Sequence, residues 1–413
     1  MTKLAYFAPG LGFALLLGCS EDSTSAEGGG GDPPDPDATC PEDGDNAGPP
    51  IAATFAPPIF IPIDVEPAHL VSGDFNDDGH VDIAVAEGLK SDAVVVFPGD
   101  GTGALGAAQA VAGSPNGGFD CAVGDVDADG VDDLVVGRFV VGTNTALITV
   151  HFGGAAFPGD MVEIAGAPGL VQAREVAVGD FDGDGALDIA AFTGVDVAIA
   201  FNAGGRTFSS AIGQGVGEAQ YGLAGVDAAN LDADAAIEIL GVTGTGSWRR
   251  YDVAPGRTVQ ASSVGDAAAG VAARPPADLD GDGRADLAIS APGDDVTVAD
   301  SGAVYLYGIG PNGPRLLRAP LTGLGRGNFG AALAIADVDA DGDADLIVGS
   351  PGADIAPGGA FSARGVIDIF LLQKDTPIPD LGSVRLGGYD LDPDAGVRRF
   401  SNIRAGRAIV ASD

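Results

Sequence analysis

Short apolar runs separated by turn residues recur along most of this chain. The first clear unit contains four such runs, at residues 69–73, 82–86, 93–97 and 105–111. They are rich in Val, Ile and Ala and bounded by Gly, Pro or Asp, so each run predicts a β-strand. A later unit repeats the plan at residues 175–179, 188–192, 195–201 and 207–212. Four strands in a unit of about fifty residues are typical of a propeller blade, so we expect an all-β propeller of four-stranded blades.

A polar motif, Asp-x-(Asn/Asp)-x-Asp-Gly-x-x-Asp, recurs with the same period. Full copies begin at Asp74, Asp125, Asp180, Asp278 and Asp337, and a degenerate copy, NLDADAAIE, begins at Asn230. The six starts lie 51, 55, 50, 48 and 59 residues apart, which indicates a repeat architecture. We number these segments loop 1 (74–82), loop 2 (125–133), loop 3 (180–188), loop 4 (230–238), loop 5 (278–286) and loop 6 (337–345).

Alternating carboxylates in a tight loop indicate a calcium site, because Ca²⁺ takes roughly six to eight oxygen ligands. In loop 1 the side chains of Asp74, Asn76 and Asp78 offer oxygens at positions 1, 3 and 5. A glycine at position 6 permits the sharp bend. We expect His80 at position 7 to contribute its backbone carbonyl and not its imidazole, and Asp82 to close the site at position 9.

The same five positions are the expected metal ligands in the other full loops. They are Asp125, Asp127, Asp129, Val131 and Asp133; Asp180, Asp182, Asp184, Ala186 and Asp188; Asp278, Asp280, Asp282, Arg284 and Asp286; and Asp337, Asp339, Asp341, Asp343 and Asp345. Loop 4 offers Asn230, Asp232, Asp234 and Glu238, but Ala235 replaces its glycine, so metal binding there stays open. The cofactor predicted is Ca²⁺ at about five sites, or six if loop 4 binds.

An EF-hand is excluded by the residues that follow the motif. That structure needs a Glu at position 12 between helices, whereas position 12 here lies in a predicted strand and is Val85, Val136, Ala191, Ile289 or Val348. Acidic turns without a metal remain the alternative. Of the 59 acidic residues, 25 lie in the six loops, where they would repel one another unless a cation lay among them.

The units resemble the FG-GAP and VCBS repeats of the integrin α-subunit β-propeller. Units one to three are similar to the VCBS form. The fifth and sixth carry further hallmarks, which are Phe329-Gly330 before loop 6, Ala291-Pro292-Gly293 after loop 5 and Ser350-Pro351-Gly352 after loop 6. The resemblance covers about residue 53 to the C-terminus and implies a seven-bladed propeller with calcium on one face.

The motif copies leave two possible blade numbers, because only six loops are clear. Seven blades are favoured and six remain the alternative. A seventh blade could come from Val384 onward, where residues 390–395 form an incomplete copy of the motif, interrupted by Pro393. Residues 59–65 or residues 407–411 could supply the strand that closes the ring.

The N-terminal residues 1–18 predict a lipoprotein signal peptide. Lys3 precedes an apolar run, at residues 4–17, that is too short for a transmembrane helix. The run ends Leu16-Leu17-Gly18-Cys19, which resembles a bacterial lipobox and implies lipidation of Cys19. Ser20 follows in place of an Asp, which favours export to the cell outer membrane. A plain secretory signal remains the alternative.

Residues 19–52 predict a disordered tether, and residues 53–413 the propeller. The tether is acidic, rich in Gly and Pro and nearly free of large apolar residues, so it cannot fold alone. Besides Cys19, only Cys40 and Cys121 are present. Export permits a disulfide between them, and the alternative is a buried Cys121 with an exposed Cys40.

Function follows less directly than fold. The formal net charge of −39 excludes nucleic acid as a partner, since phosphate binding needs clustered Lys and Arg. No nucleophile–base pair is evident, so we expect no enzyme. We expect a surface-anchored adhesion or protein–protein interaction module that binds an unknown protein or glycan at the cell surface. It should be a monomer and contact the membrane only through its lipid. A carbohydrate-binding propeller is the alternative, followed by a hydrolase or lyase.

One aromatic and basic cluster stands out from the repeats. It consists of Trp248, Arg249, Arg250 and Tyr251. Either these residues contact a ligand at a blade edge, or they lie in a strand that packs between blades. The second interpretation is favoured, because aromatic side chains bury large apolar areas.

Overall fold

In the computed structural model, the strands pair antiparallel into seven four-stranded sheets. The structure describes residues 2–7, 12–19, 59–63, 69–86, 94–111, 118–140, 145–165, 173, 175–192, 197–209, 212–213, 223–230, 236–243, 247–254, 256–266, 277–280, 284, 286–294, 301–310, 313–323, 327–339, 341–353, 366–373, 378, 384–387 and 403–412. Within these residues every regular element is a strand. The predicted all-β class is therefore confirmed.

Three strands precede the repeats: β1 (Thr2–Phe7), β2 (Gly12–Cys19) and β3 (Ile59–Ile63). Sheet 1 contains β4 (His69–Gly73), β5 (Asp82–Ala86), β6 (Val94–Phe97) and β7 (Gln109–Ala110). Sheet 2 contains β8 (Gly118–Gly124), β9 (Asp133–Val140), β10 (Thr145–His151) and β11 (Met161–Ala165). Sheet 3 contains β12 (Glu175–Gly179), β13 (Asp188–Phe192), β14 (Val197–Ala200) and β15 (Ile212–Gly213).

The remaining repeat units continue the same plan. Sheet 4 contains β16 (Leu223–Ala229), β17 (Glu238–Thr243), β18 (Ser247–Ala254) and β19 (Thr258–Asp266). Sheet 5 contains β20 (Leu287–Ala291), β21 (Ala303–Gly310), β22 (Gly313–Leu316) and β23 (Leu321–Thr322). Sheet 6 contains β24 (Ala332–Ala336), β25 (Asp345–Ser350), β26 (Val366–Phe370) and β27 (Val384–Gly387). The last strand is β28 (Ile403–Ser412).

Sheet 5 departs from this order. Both β22 and β23 pair with β21, and β20 has no partner strand on its other side among the described residues. A single bridge between Ala277 and Asp286 occupies the position at which the other sheets join their first two strands. Residues 267–276, where a first strand would lie, are outside the described part of the chain.

The strand that follows each full Asp loop is deeply buried where its side chains are described. All residues of β5, β13, β20 and β25 are buried. A strand covered on both faces reads as a continuous apolar run and not as an alternating one. This explains why sequences such as Ile83-Ala84-Val85 could be recognised as strands. The fourth strands lie at the sheet edge, and β7, β15 and β23 are only two residues long. The exposed β7 stands where residues 105–111 were predicted.

Apolar clusters fill the space between neighbouring sheets. One cluster joins sheets 1 and 2 and includes Phe75 and Leu134. The next joins sheets 2 and 3, and a further one, which includes Phe181 and Tyr251, joins sheets 3 and 4. Sheets 5 and 6 share a cluster around Phe329, whose ring meets Phe370 edge to face. The sheets therefore stack face to face around a ring, as blades of a propeller do.

The seventh sheet draws its strands from both ends of the chain, in the order β28, β2, β1, β3. Its strand β28 contacts both β24 of sheet 6 and β4 of sheet 1, so it closes the ring. Both segments predicted as candidates for closure, around residues 59–65 and 407–411, lie in this sheet. Six blades thus come from the repeats, and the seventh sheet has a different origin.

One prediction about the seventh blade is wrong. Val384–Gly387 pairs with β26 as the outer strand of sheet 6, so no new blade begins there. Residues 390–395 lie outside the described residues. Strands β1 and β2 come from the predicted signal peptide, and the removal of that peptide stays a prediction. The predicted boundaries between signal peptide, tether and propeller, after residues 18 and 52, stay predictions as well.

Candidate metal centres

All six Asp loops lie at the same end of their sheets. Loops 1, 2, 3, 4 and 6 each join the first strand of a sheet to its second, and loop 5 leads into β20. Because these strands are antiparallel and repeat around a ring, the loops lie on one face of the propeller. This is the arrangement that the resemblance implies.

The Asp at position 9 is a buried part of the framework. Asp82, Asp133, Asp188, Asp286 and Asp345 are all 0% exposed. In loop 3, Asp188 accepts hydrogen bonds from the backbone N–H groups of Phe181 at 3.2 Å and Asn202 at 2.7 Å. Loops 1, 2 and 6 repeat both bonds, to position 2 of the loop and to a residue just beyond the third strand. Position 9 therefore fixes the loop onto its sheet.

A buried apolar side chain at position 2 anchors each of the five full loops to the core. Phe75, Phe181 and Val338 are 0% exposed, Val126 is 2% and Leu279 is 5% exposed. Burying such a side chain stabilises the fold by about 1.5–3 kcal/mol. The motif as read from the sequence left this position undefined, although its apolar character is visible in every full copy.

Hydrogen bonds within the loop hold positions 1 and 5. Asp74 accepts from the N–H groups of Asp78 at 3.1 Å and Gly79 at 2.8 Å, and Asp78 accepts from His80 at 2.9 Å. Loops 2, 3 and 6 repeat this pattern. Gly79 has a φ of 81°, so the bend predicted at position 6 is confirmed. Position 4 also takes a left-handed φ, 59° at Asp77, which the sequence did not indicate.

Carboxylates at positions 1, 3 and 9 converge in four of the loops. In each group the oxygens lie within 4.8 Å of one another, and the groups are Asp125, Asp127 and Asp133; Asp180, Asp182 and Asp188; Asp278, Asp280 and Asp286; and Asp337, Asp339 and Asp345. The position-5 carboxylates of loops 2, 3 and 6, which the structure describes, are not part of these groups. In loop 1 position 3 is the amide of Asn76, which leaves fewer carboxylates. The structure thus brings together the side chains at positions 1, 3 and 9 of the predicted ligand set.

These groups fit a hard divalent cation. Asp182 Oδ1 and Asp339 Oδ1 are buried and lack a hydrogen-bond partner within the described structure. A buried oxygen without a partner is unfavourable by about 1–3 kcal/mol, and a bound cation would satisfy it. The donors are all oxygens, which suits Ca²⁺ or Mg²⁺ better than softer metals.

Burial perturbs the carboxyl groups at position 9. It raises the pKa of Asp82 and Asp133 to about 6, and that of Asp188 and Asp345 to about 7. The neighbouring loop carboxylates raise each pKa further, while the two backbone N–H donors lower it. These groups therefore take up a proton at a higher pH than an ordinary aspartate does, and a bound cation would oppose that protonation.

The residues at position 7 were expected to act through their backbone carbonyls. The His80 ring lies against Gly101, in the turn after β6, and not among the loop carboxylates. The carbonyl role of position 7, and with it the complete ligand sets, stays a prediction. Asp282 lies outside the described residues.

Loop 4 is only partly described. Asp232 and Asp234 lie outside the described residues, and Glu238 is buried and forms an ion pair with Arg250 at 3.3 Å. Glu238 thus has a cationic side chain beside it already. Metal binding at loop 4 stays open.

Three arginines missed by the sequence analysis contact position-3 carboxylates of the loops. Arg315, in β22 of sheet 5, is 2.8 Å from Asp280 of loop 5 in the same sheet. Arg206 reaches loop 2 and Arg257 reaches loop 3, each from the next sheet along the chain. Sequence separations of 79 and 75 residues explain why no local pattern revealed Arg206 and Arg257.

The remaining histidines and Cys121 lie outside the Asp loops. His69 pairs with the buried Asp120 at 2.6 Å, while His151 is fully buried and its pKa falls to about 3 because of burial and the nearby Arg138. Cys121 is buried, and Cys40 lies outside the described residues, so their pairing stays a prediction.

The aromatic cluster around Trp248 lies in strand β18, as favoured. Trp248 is opposite Val242 of β17, and Tyr251 is fully buried in the cluster between sheets 3 and 4. Across the described residues, no helix has the length and apolar character needed to cross a bilayer.

Comparison with known proteins supports the repeat assignment. Residues 74–136 match the model of an FG-GAP-like repeat, and residues 275–307 and 329–364 match the FG-GAP repeat. Human integrin alpha-IIb is 41% identical over 108 residues, which cover 24% of this chain and 10% of the integrin. Mouse integrin alpha-IIb is 39% identical over 108 residues, with the same coverage. The chain thus matches about a tenth of the length of these integrins.

Solved structures show weaker similarity. A structure of an Agrocybe aegerita lectin that recognises non-reducing terminal N-acetylglucosamine aligns with a TM-score of 0.49 and 17% identity, over 78% of this chain and 80% of that one. The V. cholerae biofilm matrix protein Bap1 aligns with a TM-score of 0.35 and 15% identity, over 58% of this chain and 37% of that one. At these TM-scores neither likeness bears on function. The chain is a β-propeller in which three segments match models of FG-GAP-type repeats, and it is similar to integrin alpha-IIb over 24% of its length.

Proposed function

We propose that this protein is a calcium-stabilised β-propeller that serves as an adhesion or protein–protein interaction module at the cell surface. The observation that carries the proposal is the convergence of carboxylates from positions 1, 3 and 9 in four loops. Bound calcium would neutralise these carboxylates and join the loop to its sheet. Positions 1, 3, 5 and 9, together with the carbonyl at position 7, would hold it at about five sites, or six with loop 4.

Calcium at these sites has a structural role in this proposal. Position 9 already joins the loop to the third strand, and the loop contacts the next sheet. In sheet 2, for example, the N–H of Gly154 donates to the carbonyl of Phe75 in loop 1 at 2.9 Å. A cation that rigidifies a loop therefore also strengthens the boundary between blades. Partner recognition then falls to the other loops, since loops on a rigid scaffold carry most binding residues.

The adhesion role rests on similarity as well as on geometry. Integrin alpha-IIb shares residues with this chain over a limited part, and FG-GAP repeats match three segments. The partner we propose is a protein or a glycan at the cell surface, bound by a monomer. We propose no catalytic activity.

Export and anchoring complete the proposal. Similarity to an integrin favours an extracellular location. The sequence Leu16-Leu17-Gly18-Cys19 would place a lipid on Cys19, and residues 19–52 would hold the propeller away from the outer membrane. An acyl chain stabilises attachment by about 0.8 kcal/mol per buried CH₂.

Binding to immobilised cell-surface and matrix extracts, with calcium or with EDTA, tests the interaction role. The matched control is the chain with Asp125→Asn, Asp180→Asn and Asp337→Asn, which removes three position-1 carboxylates. We expect the wild type to bind protein partners in calcium and to lose them in EDTA. The control should fail to bind them even in calcium. Retention of no partner in millimolar calcium contradicts the adhesion role. Binding to a glycan array alone favours the carbohydrate-binding alternative, and substrate turnover favours a hydrolase or lyase.

A further inference from the structure

Two arginines form the same contact across successive sheet boundaries. Arg206 lies in the turn between β14 and β15 of sheet 3, and its Nε donates to Asp127 Oδ2 in loop 2 at 2.5 Å. Arg257 lies in the turn between β18 and β19 of sheet 4, and its Nε donates to Asp182 Oδ2 in loop 3 at 2.7 Å. Both acceptors are position-3 carboxylates, so each guanidinium binds an expected calcium ligand of the preceding blade.

Each guanidinium also approaches the position-5 carboxylate. Arg206 is 3.6 Å from Asp129, and Arg257 is 3.5 Å from Asp184. The position-3 partners are well shielded, with side chains 4% exposed for Asp127 and 11% for the Asp182 of loop 3. Shielding from water strengthens such charge pairs relative to fully exposed ones.

An aromatic ring supports each arginine from the other side. Arg206 lies over the ring of Phe152 at 4.2 Å, and Arg257 lies over Phe201 at 4.5 Å. Both rings follow the third strand of the blade whose loop is bound. Each guanidinium therefore contacts both an aromatic ring and a pair of carboxylates, a combination that favours Arg over Lys.

Both arginines have a left-handed backbone conformation, which favours glycine. Arg206 has a φ of 66° and Arg257 a φ of 62°. A residue with a side chain is strained there, whereas glycine is not. A long cationic side chain at a strained turn position indicates that its contacts offset the strain.

We propose that Arg206 and Arg257 are built-in counter-cations of loops 2 and 3, which hold these loops in the calcium-free protein and weaken calcium binding to them. The proposal rests on the proposed calcium function. Each guanidinium neutralises carboxylates that would otherwise repel one another, and the same positive charge repels an incoming divalent cation. Asp182 Oδ1 keeps no hydrogen-bond partner, so the arginine occupies only the outer oxygen and leaves the site available.

Loop 6 provides the internal comparison. Among the described residues, no arginine contacts the carboxylate of Asp339, its position-3 residue. Loop 6 should therefore bind calcium at lower concentrations than loops 2 and 3. Calcium would then fill the propeller in an order set by the arginines.

Hydrogen exchange measured by mass spectrometry during a calcium titration reads each loop separately. Three proteins are compared: the wild-type full chain, Arg257→Gln, which removes the charge, and Arg257→Lys, which keeps it. Peptides that cover residues 180–188 report the exchange of loop 3, and peptides that cover residues 337–345 report that of loop 6. In Arg257→Gln we expect the calcium midpoint of loop 3 to fall about tenfold, the scale expected for one charge near a divalent ion in a partly solvated site. Loop 3 should also exchange faster without calcium.

The controls separate charge from packing. Loop 6 should titrate as in the wild type in all samples. Arg257→Lys should lower the loop 3 midpoint less than Arg257→Gln does, because the charge remains although the planar contacts are lost. If Arg257→Gln fails to fold, Arg206→Gln carries the same test at loop 2. An unchanged or higher midpoint in the Gln variant, with loop 6 responding normally, overturns the proposal. If no loop responds to calcium in the wild type, the proposed calcium function fails as well.

Discussion

Replacing Asp345 by Ala removes the carboxylate that joins loop 6 to the end of β26. Its two oxygens accept the backbone N–H groups of Val338 at 2.7 Å and Leu372 at 2.8 Å. Asp345 and Val338 are 0% exposed and Leu372 is 3% exposed. The substitution therefore leaves two backbone donors without an acceptor inside the protein.

The size of the effect follows from these bonds. Each buried donor without a partner costs about 1–3 kcal/mol, so Asp345→Ala should lower the free energy of unfolding by about 2–6 kcal/mol even without calcium. The matched control is Asp341→Ala at position 5 of the same loop, where an exposed carboxylate accepts the N–H of Asp343. Without calcium this control should change stability by no more than about 0.5 kcal/mol.

Calcium should then affect both variants alike. Each variant removes an expected ligand of loop 6, and a site at a calcium concentration about tenfold above its Kd contributes about 1.4 kcal/mol. Urea denaturation of the full chain, followed by the fluorescence of the single tryptophan, Trp248, measures both effects. Asp345→Asn, which keeps one acceptor oxygen, should be intermediate. Equal urea midpoints for Asp345→Ala and Asp341→Ala in calcium-free buffer would refute the structural role of position 9.

The remaining predictions concern pH and the N-terminus. Because burial raises the pKa of four position-9 carboxyls, in loops 1, 2, 3 and 6, to about 6–7, their contribution to stability is complete below the unfolded-state pKa and is lost as pH rises through the folded-state value. The calcium-free protein should therefore have a higher urea midpoint at pH 5 than at pH 8, and added calcium should raise the midpoint more at pH 8; the opposite trends contradict this assignment. Mass spectrometry of the protein purified from a bacterial membrane should find an acylated Cys19 as the first residue, and Cys19→Ala should release the chain from the membrane. An intact Met1 contradicts the lipoprotein prediction and leaves β1 and β2 in sheet 7.

The blade plan could be predicted because its signals are local. Strands β4, β5, β12 and β13 have the predicted bounds, since each is a short apolar run next to an Asp loop. The bend at position 6 was predictable for the same reason, as glycine tolerates the left-handed backbone that the loop requires. The short outer strands were predicted less well, because an edge strand has a partner on one side only.

The seventh sheet could not be derived from such local patterns. It pairs β2 with β28, so that Leu15 lies opposite Ile409, nearly the whole length of the chain away. Val384–Gly387 resembled the start of a new unit, yet it completes sheet 6 because β26 needs an outer partner. The contacts of Arg206 and Arg257 with the preceding blades depend on how the sheets stack, which no spacing within one unit reveals.

The central claim is that the Asp loops are calcium sites that hold the blades together. Equilibrium dialysis of the full chain against about 5 mM calcium, above the range typical of extracellular modules, followed by metal analysis, counts the bound ions directly. We predict about five Ca²⁺ per chain, and one fewer in Asp341→Ala. Five filled sites at about 1.4 kcal/mol each would raise the melting temperature by roughly 10 °C relative to EDTA. A chain that binds no calcium under these conditions would contradict the account.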